Sequence, residues 1–144
     1  MIIRPYEQTD TAQLVSIWRA ASEQAHSFFA KEQLDHNEQL VRDIYLPKAE
    51  NWVLSVENDP VGFIGLIDHF IGGLFVDPMR QGHGYGRALV DHAAQLKGRL
   101  ELEVYSRNQS AVGFYQRLGF VEISRRPTDD HGLPFELIKM QRDG

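Results

Sequence analysis

Cysteine is absent from this sequence of 144 residues, which excludes disulfide bonds, thiolate metal ligands and a cysteine nucleophile. Long apolar runs are also absent: none approaches the roughly 20 residues of a membrane-spanning helix. The start, Met1-Ile2-Ile3-Arg4-Pro5, turns polar too early for a signal peptide. We therefore expect a soluble, cytoplasmic protein with no membrane partner.

Positive charge is scarce as well. The formal net charge of -5 argues against a broad nucleic-acid-binding surface. The six histidines show no His-x-x-x-His or similar ligand spacing, so we expect no metal site. The length suits one ordinary hydrophobic core, so we expect a single domain that comprises residues 1–144.

The apolar residues that are present define an alternating order of elements. Helical spacing is found around Trp18 and, more weakly, from about Glu32 to Tyr45, where Pro47 is expected to end the helix. Runs rich in β-forming residues at 52–56 and 61–67 flank the turn sequence Asn58-Asp59-Pro60 and predict a hairpin. Further strands and helices follow in the order β, α, β, α, β, β. This order predicts an α+β (mixed αβ) fold.

The most informative segment is rich in glycine and lies between a predicted strand and a predicted helix. It reads Gln81-Gly82-His83-Gly84-Tyr85-Gly86-Arg87 and follows Val76-Asp77-Pro78. A helix that begins here exposes unpaired backbone N–H groups at the positive end of its dipole, and glycines let an anion approach them. The segment therefore predicts a phosphate-binding loop, with a tight turn that binds nothing as the alternative.

Two other kinds of phosphate loop fit this segment less well. A dinucleotide-binding fold needs Gly-x-Gly-x-x-Gly at the start of a βαβ unit, whereas this sequence has Gly-x-Gly-x-Gly in mid-chain. Glu101 or Glu103 lies near the place of a ribose-binding acid, so that alternative stays open. The Gly-Lys-Ser/Thr of a nucleoside triphosphate loop is absent.

A family resemblance rests on two separate motifs. Gln81 to Gly86 matches the Gln/Arg-x-x-Gly-x-Gly/Ala signature of the GNAT superfamily of acyl-CoA-dependent N-acetyltransferases, and Tyr85 stands where the family more often has an aliphatic residue. The downstream block of the family appears as Asn108, Phe114-Tyr115 and Leu118-Gly119-Phe120. The sequence resembles the small stand-alone bacterial members. The resemblance implies a central, mostly antiparallel mixed sheet of about seven strands with four helices, splayed between strands four and five.

The resemblance also implies how acetyl-CoA, the acyl donor, is bound. The backbone of Leu74, Phe75 and Val76 is expected to pair with the pantetheine arm like an added strand. The Gly72-Gly73 pair is a candidate for the bulge that starts the splay. Other residues near the two motifs are also expected at the donor: Arg80, Gln81, Gly82, His83, Gly84, Tyr85, Gly86, Arg87, Asn108, Phe114 and Arg117. For the arginines the alternative is solvated surface, and for Asn108 it is a helix cap.

The acetylation of an amine requires a proton donor for the departing thiolate and removal of a proton from the amine. The resemblance implies Tyr115 as the donor, because a phenol with a pKa near 10 is protonated at neutral pH; a buried core aromatic is the alternative. Candidate bases that flank the expected cleft are His69, Asp68 and Glu103. Deprotonation through water, without a dedicated base, is an equal alternative.

The acceptor side carries the weakest sequence signal. His26, Phe28 and Phe29 are expected to line it, and the acceptor is a primary amine on a protein lysine, a protein N-terminus or a small molecule. Two functions of other classes stay open: a non-catalytic sensor of acyl-CoA, and an interaction module that uses the Trp18 helix and the Phe28-Phe29 pair. The sequence leaves both a monomer and a homodimer open.

Overall fold

The computed structural model of the protein describes residues 1–25 and 28–143. Within these residues the chain forms seven strands and four helices. The strands are β1 (Ile2–Pro5), β2 (Glu50–Val56), β3 (Asp59–Ile67), β4 (Phe70–Val76), β5 (Leu100–Tyr105), β6 (Val121–Arg126) and β7 (Leu137–Arg142). The helices are α1 (Thr11–Ala25), α2 (Lys31–Leu40), α3 (Tyr85–Lys97) and α4 (Gln109–Arg117).

The seven strands form one sheet in the order β1-β2-β3-β4-β5-β7-β6. Neighbouring strands are antiparallel except for β4 and β5, which are parallel. This is the mostly antiparallel mixed sheet that the sequence predicts, and the prediction is confirmed.

The β4–β5 pair separates shortly after it begins. Its pairing comprises Phe70↔Glu101 and Ile71↔Leu102, and among the described residues the remainder of β4 does not pair with β5. On the other side of β4, Gly73 pairs with Gly65 whereas Ile71 pairs with Leu66, so Gly72 is an extra residue in the strand. A bulge of this kind bends a strand and increases its twist. The predicted bulge at Gly72-Gly73 and the predicted splay therefore coincide.

Each face of the sheet is covered by two helices. Helices α3 and α4 pack on one face through Leu89, Val90 and Tyr115, together with strand residues such as Ile64 and Leu102. Helices α1 and α2 cover the other face, where Leu14, Trp18 and Leu34 pack on Val53 and Phe63. Complete burial of a leucine such as Leu14 or Leu89 contributes roughly 1.5–3 kcal/mol to folding.

Two local details differ from the sequence prediction. The β2–β3 turn is centred on Glu57 and Asn58, which have φ values of 53° and 67°, so Pro60 lies inside β3 opposite Ser55. The second helix continues beyond α2 through a π-helical turn, Val41–Tyr45, and a last turn, Leu46–Lys48. Pro47 lies within that last turn, and the helix ends one residue later, at Lys48, where Ala49 turns to an extended conformation.

Candidate active site

One cleft of about 1240 Å³ runs from the glycine-rich segment, past the splay, to the face covered by α1 and α2. We call its two parts the loop arm and the helix arm. The loop arm is lined by Leu74, Phe75, Val76, Arg80, Gln81, Gly82, Gly84, Tyr85, Gly86, Arg87, Asn108, Phe114 and Arg117. The helix arm is lined by Trp18, Ala21, Ser22, Leu34, Val41, Leu46, Asn51, Phe63 and Gly65.

The three glycines of the loop arm serve different physical purposes. Gly82 and Gly84 have φ values of 87° and 79°, a region that side chains disfavour. A Cβ on either of them would meet no atom within 4 Å, so open space lies against the backbone. Gly86 instead packs closely on Phe114, whose ring atom lies 3.2 Å from the position of a Cβ. Gly82 and Gly84 therefore shape an exposed backbone loop, and Gly86 permits close packing beneath it.

Helix α3 presents its N-terminus to the loop arm. Its first intrahelical bond runs from the N–H of Ala88 to the carbonyl of Gly84, at 3.0 Å. The amides of Tyr85, Gly86 and Arg87 precede that bond, and helix geometry leaves them without intrahelical acceptors. They lie at the positive end of the helix dipole. This combination of exposed amides, open space and positive potential fits a diphosphate.

The strand edge and the flanking side chains complete the loop arm. Leu74, Phe75 and Val76 line the cleft on the side of β4 that faces the splay. Asn108 accepts a hydrogen bond from the N–H of Ala111 (3.2 Å) and so caps α4, which leaves its Nδ2 amide for other partners. His83 does not line the cleft but stacks on Tyr85, with ring centroids 5.4 Å apart.

The arginines of the loop arm are held loosely. Arg80 lies 3.4 Å from Asp59, and Arg87 lies 3.8 Å from Asp91. Both pairs are exposed and contribute little to stability. Arg117 is exposed at the end of α4. All of these side chains can therefore turn toward an anion at low cost.

Tyr115 lies at the core side of the loop arm. Its ring is edge-on to Phe114 and Phe120, with centroid distances of 5.1 Å and 5.4 Å. The residue lines the cleft although only 9% of its surface is exposed. Burial raises the pKa of the Tyr115 hydroxyl above its usual value of 10.0, because a phenolate is costly in an apolar environment. The hydroxyl therefore stays protonated at neutral pH and has a proton that it can donate.

The structure does not bring Asp68 and His69 into the cleft. They form the turn between β3 and β4, where His69 Nε2 lies 2.8 Å from Arg99 and 3.7 Å from Glu101. Neither residue lines the cleft. Glu103 does line it, and both of its carboxylate oxygens accept hydrogen bonds from Arg126, at 2.8 Å and 3.0 Å.

Four aromatic rings form a cluster beside the cleft. Phe28, Phe29, Tyr105 and Phe135 have ring centroids 4.9–6.3 Å apart, and Phe29 and Tyr105 line the cleft itself. The Arg107 guanidinium lies over Phe28 and Phe135 at 5.7 Å and 5.1 Å, which is cation–π geometry. His26, the third residue expected on the acceptor side, lies outside the described residues.

Sequence reasoning did not identify the Tyr105–Asp129 pair. The Tyr105 hydroxyl donates to Asp129 at 3.0 Å, and buried Asp129 also accepts from the amides of His131 and Leu133. Burial, followed by the charge of Asp129, raises the pKa of Tyr105. Alternation along β5 could have shown that Glu101, Glu103 and Tyr105 share a face, but only the fold brings Asp129 to Tyr105. Among the described residues no group of histidine, aspartate and glutamate is placed to hold a metal ion.

Comparison with known proteins shows the protein family to which this chain belongs. The family profile described as "Acetyltransferase (GNAT) domain" matches residues 17–142. The chain therefore belongs to the GNAT acetyltransferase family. The predicted fold and the predicted acetyl-CoA-dependent N-acetyltransferase activity are thereby confirmed. No helix in the described part of the chain is long and apolar enough to cross a membrane.

The similarity extends to particular bacterial relatives. The chain is 38% identical to the peptidyl-lysine N-acetyltransferase YjaB of Escherichia coli strain K12, over 96% of this chain and 94% of that protein. It is 31% identical to the peptidyl-lysine N-acetyltransferase YiaC of the same organism, over 92% of each chain. The solution structure of apo YjaB superimposes with a TM-score of 0.91, covering 100% of this chain and 99% of that one.

Proposed function

We propose that this protein transfers the acetyl group of acetyl-CoA to the Nε amine of lysine side chains in proteins. The observation that carries the proposal is a single cleft that joins the N-terminus of α3 to the helix arm, in a chain 38% identical to a peptidyl-lysine N-acetyltransferase along 96% of its length. The loop arm receives the donor and the helix arm receives the acceptor.

The donor is bound mainly by backbone. The amides from Gln81 through Arg87 bind the pyrophosphate, and Leu74 to Val76 pair with the pantetheine arm at the open edge of β4. Arg80, Arg87 and Arg117 neutralise phosphate charge, Asn108 Nδ2 donates to the pantetheine, and Phe114 packs against it. The bulge at Gly72 brings a backbone amide toward the thioester carbonyl, where it stabilises the oxyanion that forms during attack. His83 and Tyr85 flank this site.

Tyr115 acts as the general acid in the reaction. The unprotonated amine attacks the thioester carbon, so that a C–N bond forms and the C–S bond then breaks. The departing thiolate takes the proton of the Tyr115 hydroxyl, the amine nitrogen releases one proton to water or to a base, and solvent reprotonates the phenolate. The raised pKa of Tyr115 keeps this proton in place until the thiolate develops.

The acceptor lysine approaches past the aromatic cluster. Phe28 and Phe29 form part of its entrance, and the proposal extends to His26, two residues before Phe28 in the sequence. Neither Asp68 nor His69 lines the cleft. Glu103 does line it, but both of its carboxylate oxygens accept hydrogen bonds from Arg126, so water is favoured as the route by which the amine loses its proton. The reaction belongs in the cytoplasm, where acetyl-CoA is available, and residues 1–144 act as one catalytic domain. The proposal holds for a monomer or a homodimer.

The test is to incubate the purified protein with acetyl-CoA and a denatured bacterial protein mixture, and to locate acetyl groups by mass spectrometry. Free lysine, spermidine and an alanine-initiated peptide serve as competing acceptors in a thiol-release assay. We expect Nε-acetyl-lysine in proteins and slower turnover of the other amines. Turnover confined to small amines or to N-termini would refute the lysine assignment. Binding of acetyl-CoA without thiol release from any acceptor would instead indicate a sensor.

A further inference from the structure

The side-chain amide of Asn51 has a fixed orientation in the helix arm. Its Nδ2 donates to the carbonyls of Tyr45 (3.2 Å), Leu46 (2.9 Å) and Ala49 (3.3 Å), at the end of the second helix. The opposite orientation of the amide would place its oxygen against these three carbonyls, which are acceptors only. The position of Oδ1 therefore follows from the position of Nδ2.

The Oδ1 atom of Asn51 lies above Gly65. A Cβ at Gly65 would be 2.7 Å from this oxygen, so only glycine leaves room for it. Gly65 pairs with Gly73, next to the bulge of β4. Within residues 1–25 and 28–143, no hydrogen-bond donor reaches Oδ1, and the atom is not closed off from solvent as Ser22 Oγ is. This accessible amide oxygen can therefore accept a hydrogen bond from a donor that enters the cleft.

A second polar atom in the same arm also lacks a partner. Ser22 lies on α1 and is 2% exposed, and its hydroxyl oxygen is buried without a hydrogen bond among the described residues. Its neighbours on the helix, Trp18 and Ala21, line the cleft with it. A buried hydroxyl without a partner destabilises the free protein. That cost is recovered when a ligand supplies the missing bond.

The remainder of the helix arm is mostly apolar. Leu34, Val41, Leu46 and Phe63 are each no more than 7% exposed, and Val41 begins the π-helical turn. Such turns are frequent at functional sites. An apolar passage with two hydrogen-bond acceptors suits a ligand with a methylene stem and a terminal group that donates hydrogen bonds.

We propose that Ser22 Oγ and Asn51 Oδ1 form the subsite that recognises the reacting amine of the acceptor. The inference rests on the proposed function and deepens it. An unprotonated primary amine has two N–H donors and one lone pair. When both N–H groups donate to these oxygens, the lone pair is left for attack on the thioester. Both acceptors are neutral, so they orient the amine without holding it as an ammonium ion, as a carboxylate would.

The first test uses Ser22→Ala, because removing an unpartnered buried hydroxyl does not destabilise the fold. We expect kcat/KM for a lysine peptide to fall about tenfold, with an unchanged KM for acetyl-CoA and an unchanged or higher Tm. Ser16→Ala is the matched control, since Ser16 lies on the exposed side of the same helix. Gly65→Ala displaces the Asn51 oxygen and should also lower kcat/KM for the lysine peptide. Wild-type kcat/KM for the peptide in both Ser22→Ala and Gly65→Ala would overturn the proposal.

The second test does not depend on turnover, and so separates this inference from the proposed function. The probe is n-butylamine, titrated into the protein with bound CoA while the side-chain NH₂ signals of Asn51 are followed by NMR. We expect saturable shifts that weaken in Ser22→Ala. Methyl propyl ether, which has a similar size and no donor, should cause no such shifts. Absence of a response to n-butylamine, or an equal response to the ether, would overturn the subsite even if the wild-type protein acetylates lysine.

Discussion

The loop arm and the helix arm of the cleft are built in opposite ways. The loop arm is formed mainly by one continuous stretch of chain, residues 74–87, with exposed backbone at Gly82 and Gly84, where a Cβ would meet open space. The helix arm consists of buried side chains from α1, α2 and the sheet, such as Ser22, Leu34 and Phe63. A substitution in the loop arm should therefore change ligand binding more than stability. A substitution in the helix arm should change both.

The largest effect on turnover is expected at Tyr115, which lies at the core side of the loop arm. A substitution there should change the chemical step more than it changes ligand binding. Tyr115→Phe keeps the ring that packs on Phe114 and Phe120 but removes the acidic proton. We expect kcat to fall roughly 10²-fold or more, while the Kd for acetyl-CoA measured by calorimetry stays near the wild-type value. Unchanged turnover would remove Tyr115 from the mechanism.

The raised pKa of Tyr115 adds a pH dependence to this prediction. Below the usual value of 10.0, the phenol is protonated in both the folded and the unfolded state, so it causes no loss of stability. Above that pH the unfolded phenol ionises while the folded one resists, so the free energy of unfolding falls as pH rises. In denaturant titrations, Tyr115→Phe should reduce the fall in the free energy of unfolding above pH 10. If the free energy of unfolding falls with pH as steeply in the variant as in the wild type, the raised pKa is contradicted.

The second prediction compares the two ends of α3. Gly84 and Gly98 both have positive φ, 79° and 76°, and a Cβ at either would meet nothing within 4 Å. Alanine at Gly84, which is left-handed helical, should cost about 1–2 kcal/mol of stability. Alanine at Gly98, whose ψ of -92° lies outside that region, should cost more. Only Gly84→Ala places a methyl group where the diphosphate is proposed to bind, so only it should raise the Kd for acetyl-CoA, by about tenfold or more. Equal Kd values for the two variants would place the phosphates elsewhere.

The two arms also differ in how far the sequence predicts them. The loop arm could be predicted because neighbouring residues form it: a strand end, glycines at 82 and 84, and the first turn of a helix follow one another along the chain. Asn51 gives no comparable signal, since its importance comes from Gly65 on the next strand and from carbonyls at Tyr45 and Ala49. Three-dimensional proximity of this kind has no local pattern in the sequence.

Two further cases show the same limit. The bulge at Gly72 could be expected from paired glycines in a strand, because glycine there marks bulges and close approaches. The location of Asp68 and His69 could not be expected from the sequence. Only the course of the β3–β4 turn directs them toward Arg99 and Glu101 instead of the cleft.

The third prediction separates binding from stability within one loop-arm residue. Asn108 Oδ1 caps α4, and the proposal assigns its Nδ2 to the pantetheine. Asn108→Asp keeps the cap and loses the donor, so Tm should be retained while the Kd for acetyl-CoA rises about 3- to 10-fold. Asn108→Ala loses both, and should in addition cost about 1 kcal/mol of stability. A wild-type Kd in Asn108→Asp would leave capping as the sole role of Asn108.

The smallest effect is expected from His69→Ala. An imidazole is a common general base in enzymes, but the ring of His69 contacts Arg99 and Glu101 and does not line either arm. A base must come within hydrogen-bond reach of the amine, directly or through one water, so we expect kcat/KM to stay within about twofold across the pH profile. Asp68→Asn is the companion variant. A loss above tenfold with a shifted acidic limb would show that the turn between β3 and β4 moves into the cleft when the acceptor binds, and would restore His69 as the base.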